Sequence, residues 1–109
     1  MATTPPPLTA SPPTPDDAPD AAFYDRADAH IALANQQIGP QATRGNVSAS
    51  MLFATARFNA WASACGSDDA GHLARVRADL VRYHVEQYQR MLIASVDDYI
   101  LNFDKYMKG

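Results

Sequence analysis

Apolar positions recur along this chain at helical spacing in three separate stretches, and nowhere do they alternate over a length that would suggest a strand. The most apolar stretch is 47–65, VSASMLFATARFNAWASAC, with Arg57 as its single charge. Ser48 can cap its start by accepting from free backbone N–H groups, with Val47 and Leu52 as a hydrophobic staple. Gly66 offers a left-handed stop at its end. Met51, Ala54, Thr55, Phe58, Trp61, Ala62 and Cys65 share one face, while Phe53, Ala56, Ala60 and Ala64 occupy the far one. A helix apolar nearly all round is expected to be a core element, packed between neighbours.

The first helix is predicted over 20–38, capped by Asp20, with Phe23, Ala27, His30, Ile31, Ala34 and Ile38 facing inward. Gly39-Pro40 ends it, because proline cannot continue a helix, and Arg44-Gly45-Asn46 reads as a turn. The third helix is predicted to start between Asp69 and His72, with acids suited to the positive end of the helix dipole. From His72 to Lys108 there is neither Gly nor Pro. Arg75, Asp79, Arg82, Glu86 and Arg90 alternate in sign at steps of three and four, a solvated stripe of weak ion pairs. Opposite lie Val81, Val85, Tyr88, Leu92, Val96, Tyr99, Phe103 and Tyr106.

An unbroken helix from His72 to Tyr106 would be about 52 Å long, against roughly 30 Å for a compact domain of this size. It must protrude or break, and Ser95 followed by Asp97 and Asp98 resembles a fresh N-cap. The fold expected is all-α, with three helices, or four if that break occurs. A central helix is buried and a long helix closes the chain.

Composition narrows the function classes. The chain has 109 residues, room for one domain, and residues 1–19 hold seven of the eight prolines and no Lys or Arg. That segment is expected to be a disordered, Pro-rich tail and 20–109 the helical domain. The tail lacks the basic start and apolar run of a signal peptide, and no window approaches a membrane span. A single cysteine excludes an internal disulfide and a Cys-based zinc site, so a cytoplasmic location is expected. Residues 20–109 carry nine basic and ten acidic side chains, which removes the electrostatic basis for binding nucleic acid. The remaining ~90 residues can bury only about 60–65% of their surface, so such a domain gains from a partner.

Three stretches, FYDRADAHIALAN (23–35), VSASMLFATARFNAW (47–61) and DDYILNFDKY (97–106), together resemble a family of small bacterial proteins defined only as a domain of unknown function. The resemblance covers about 85 residues and implies an all-α fold. It implies no activity, cofactor or catalytic residue.

Few residues point to chemistry. Arg57, on a helix expected to be buried, would need a carboxylate from Asp25, Asp28, Asp97, Asp98 or Asp104. Asn59 and Asn102 suggest a buried hydrogen-bond network, and His30 lies on the inner face of the first helix. Arg57, Asn59, His30, Asp28, Asp98 and Asn102 therefore form the candidate polar cluster, or an anion or small-ligand site. His72 and His84 do not share a face, no His-x₃-His or Glu-x-x-His pair exists, and Ser48 and Ser50 lack a nucleophile-elbow pattern. No metal, cofactor or catalytic residue is assigned. The function expected is a non-enzymatic helical interaction or assembly protein, with anion binding as the alternative. Ile93 and Ile100, seven apart, with Leu101 beside them, leave the C-terminal third apolar outside as well as in. That spacing suits a helix–helix seam and a homodimer.

Overall fold

A computed structural model describes residues 20–108 of the chain, so the Pro-rich tail lies outside the described residues. Four helices follow one another: α1 (Phe23–Gln37), α2 (Arg44–Cys65), α3 (Ala70–Leu101) and α4 (Phe103–Met107). No strand is present among the described residues; one isolated bridge pairs Gly39 with Ala42 in the α1–α2 turn. The chain divides into two compact units. The first runs to Asp68 and contains α1 and α2, which touch; the second runs from Asp69 and contains α3 and α4.

In the first unit, α1 begins where the Phe23 amide donates to the Asp20 carbonyl at 3.1 Å. The Asp20 side chain does not cap the helix as expected. It forms an exposed ion pair with Arg26 at 2.7 Å, and that guanidinium holds the carboxyl below its ordinary range. Helix α2 starts five residues earlier than its sequence suggests. Thr43 is its N-cap and Asn46 its N3 residue: the Asn46 amide donates to Thr43 Oγ1 at 3.1 Å and the Thr43 amide donates to Asn46 Oδ1 at 3.0 Å. This reciprocal box satisfies two free donors at once. It overrides Ser48, and it turns Arg44-Gly45-Asn46 from a loop into the first helical turn. Gly66 closes the helix at φ −88°, ψ 0°, so no left-handed stop is used.

In the second unit, Asp69 caps α3 by accepting from the His72 amide at 2.8 Å. The helix runs through Ser95 without a break for 32 residues, about 48 Å. Extending a helix costs far less than starting a new one, so a mid-helix Ser-x-Asp-Asp does not interrupt it. The interruption comes at Asn102, whose side-chain amide donates to the Asp98 carbonyl at 3.3 Å and to Asp98 Oδ1 at 2.8 Å. A side chain bonding back four residues competes with the backbone ladder. The backbone there opens to φ −116°, ψ 29°, and α4 continues beyond it.

The core is where expectation and structure part most. Among the described residues only Val47 and Ala62 are buried apolar residues, and Ser63 is the one buried polar residue. Helix α2 is not enclosed: Leu52, Phe53, Phe58 and Trp61 are all exposed, Phe53 by 68%. The inward stripe expected for the last helix is exposed too, from Val81 through Tyr106. Burial requires a second surface, and among the described residues most large apolar side chains are without one.

Candidate functional site

The six candidate polar residues divide between the two units. Asp28 and His30 stand on α1, and Arg57 and Asn59 on α2; Asp98 closes α3 and Asn102 follows it. Arg57 is exposed, and among the described residues no carboxylate lies within ion-pair distance of it. The expectation of a buried guanidinium with a carboxylate is therefore corrected. Its physical basis also fails locally, because α2 contains no acidic residue that could reach Arg57 from three or four positions away. Asp28 and His30 are exposed, and Asn59 is half-buried.

Asp98 and Asn102 do form a network, with a member the sequence did not suggest. Tyr106 donates its hydroxyl to Asp98 Oδ2 at 3.0 Å while Asn102 occupies Oδ1 at 2.8 Å. Both carboxylate oxygens are thus engaged across the helix interruption. The hydrogen bond to Asp98 and its charge push the Tyr106 phenol above its usual range. The Tyr99 and Tyr106 rings lie 4.9 Å apart at 52°, within the range of favourable aromatic pairs. The signal for this clamp was available as an i, i+4, i+8 series, Asp98, Asn102 and Tyr106. It was hidden because an unbroken helix was expected there. Asp98 and Tyr106 are exposed and Asn102 is half-buried, and the clamp positions α4 on α3.

Helix α3 divides around its axis into sectors. Leu73, Val76, Leu80, Tyr83, His84 and Gln87 are half-buried and share one side. Burial holds the His84 imidazole below its ordinary pKa. The charged stripe is a second sector, and there Arg82 pairs with Asp79. The third sector is the exposed apolar stripe from Val81 to Tyr99. Ile93, Ile100 and Leu101 are exposed as well, Ile100 by 71% and Leu101 by 83%. Among the described residues no three His, Cys, Asp or Glu side chains converge as a metal site would require. No described helix is long and apolar enough to cross a membrane.

A family model described as "Protein of unknown function (DUF3144)" matches residues 23–100. The chain belongs to the DUF3144 family. The DUF3144 match begins at the first residue of α1, spans α2 and reaches the penultimate residue of α3. It includes the first two of the three recognisable stretches whole, and ends inside the third, at Ile100. The DUF3144 description carries fold-level kinship and no activity. No curated protein and no solved structure matches the chain.

Proposed function

We propose that this chain is a non-enzymatic helical assembly protein, which completes its core by self-association, first as a dimer. One observation carries the reading. Twenty-two large apolar side chains are exposed, while only Val47 and Ala62 are buried apolar residues among the described part. Isolated surface apolar residues are ordinary, but continuous exposed faces of this extent mark contact surfaces. Each large side chain covered by another chain contributes about 1.5–3 kcal/mol if buried fully. Ile93, Ile100 and Leu101 belong to the available surface. A cytoplasmic setting is part of the same proposal and rests on the single cysteine. The alternative, an anion held by Arg57 with His30 and Asp28, draws no support from burial, since all three side chains are exposed. Sedimentation velocity of the full chain tests the proposal. A dimer or larger species at micromolar concentration is expected, and a folded monomer there would overturn it.

A further inference from the structure

The assembly reading leaves open which face is used and in which direction the helices run. From Ala74 to Tyr99, α3 carries apolar residues at successive steps of four and three, with one extra step of four between Leu92 and Val96. At about 100° per residue they fall within an arc of about 80°, the width of a helix–helix seam. Every one is exposed; the six large ones, Val81 to Tyr99, are each exposed by between 47% and 58%. They offer on the order of 600 Å² per copy before flanking residues are added, close to the roughly 800 Å² per partner of a standard interface.

Side-chain size along the seam is graded. It starts with Ala74 and Ala78 and ends with Val96 and Tyr99. Turned end for end about the point midway between Val85 and Tyr88, the seam matches itself to within one residue: Ala74 meets Tyr99, Ala78 comes beside Val96, Val81 meets Leu92 and Val85 meets Tyr88. Small residues then face large ones in every outer layer. A parallel pair would set Ala74 against Ala74, leaving a gap, and Tyr99 against Tyr99, crowding it.

Charge points the same way. Residues 70–90 carry four arginines against Asp79 and Glu86, whereas 91–101 carry Asp97 and Asp98 and no base. Asp69 caps the start of α3 in keeping with its dipole, but Asp97 and Asp98 stand near its end with no base in the last turn, against the dipole there. An antiparallel neighbour sets the arginine-rich part of one copy beside that acidic end of the other, and it brings Arg77 within a turn of Asp98 of the second copy on the same flank of the seam.

We infer that α3 pairs antiparallel with α3 of a second copy along the Ala74–Tyr99 seam. This rests on the assembly reading and goes beyond it in naming face and direction. Ile93 and Ile100 lie about 90° around the helix from the seam centre and stay outside this contact.

Cross-linking of the full chain in a Cys65→Ser background tests it. Ala74→Cys/Tyr99→Cys, oxidised with glutathione disulfide, is expected to give a covalent dimer, because the two positions within one copy are about 37 Å apart. The single variants Ala74→Cys and Tyr99→Cys are expected to remain uncrosslinked. Val81→Cys/Leu92→Cys repeats the test without removing the tyrosine. Arg77→Glu is expected to weaken the dimer about tenfold. Single variants that cross-link as fast as the double would show a parallel pair and overturn the inference. A wild-type dimer in which neither cysteine pair cross-links overturns it while sparing the assembly reading. A wild-type monomer sinks both.

Discussion

Helices α2 and α3 are both rich in apolar residues, yet they carry that content differently. In α2 it runs nearly all round: Phe53 and Phe58 are both exposed, and no acidic residue marks a water-facing side. In α3 it is gathered into sectors, one half-buried, one charged and one apolar and open. The difference has a practical meaning. An even distribution says that a helix will accept cover from any direction and names none. A sectored one states the direction from which cover must come.

The largest effect that would break this contrast lies in α3. Val85→Glu/Leu92→Glu, at the centre of the open sector, should abolish dimerisation at micromolar concentration by leaving charges in a desolvated seam. Ile93→Glu/Ile100→Glu, outside it, should shift the dissociation constant far less. Sedimentation equilibrium of both variants checks this, and equal losses would mean that α3 is not sectored in its use.

Next in size is Val47→Ala in α2. It empties one of the two buried apolar positions and should cost about 2 kcal/mol, read from chemical denaturation. Thr43→Ala should cost about 1 kcal/mol by removing the N-cap of α2, whereas Ser48→Ala should change little. A larger loss at Ser48 would return the helix start to that residue. Arg57→Met should fall within about 0.5 kcal/mol of wild type, as exposed substitutions without a partner do.

The smallest effect is a pH dependence in α3. Burial holds the His84 imidazole below 6.5, so the unfolded chain takes up the proton first as pH falls. Stability from this residue is therefore full above pH ~6.5 and declines as pH drops through that value toward the lower folded pKa. Thermal melts between pH 8 and 5 should show a shallower decline for His84→Gln than for wild type. Parallel curves would place His84 in solvent.

How much of this was legible in the sequence depends on what each pattern reports. Helix order followed from periodicity, which left three helices or four open, and the region where α3 starts from the local rule that acids suit the first turn. The start of α2 was missed because its box uses Asn46 where the usual signature has Glu or Gln. Ser95 was the place offered for a break if one occurred, and the interruption lies at Asn102, because a side chain reaching back four residues opens the ladder where a serine followed by acids does not. Arg57 was misplaced for a deeper reason. Periodicity records which side chains prefer to leave water; it does not record whether the rest of the chain has surface enough to receive them. Among the described residues only Val47 and Ala62 are apolar side chains that found such surface. The candidate cluster inherited that error, and the part of it that forms, Asp98 with Asn102, is a local clamp joined by Tyr106.

The three buried residues of α2 stand near its two ends, Val47 at the start and Ala62 with Ser63 at the finish. Between them the side-chain contacts are local to the helix, Thr55 Oγ1 donating to the Met51 carbonyl at 2.9 Å and the Phe58 and Trp61 rings lying 5.4 Å apart, so α2 resembles a plank fixed at both banks. Isolated helices exchange their amide hydrogens fastest at the frayed termini. Here the termini are pinned, so deuterium should enter the middle turns, around residues 51–58, as readily as the ends. A slow middle would reveal which neighbouring surface lies across the plank.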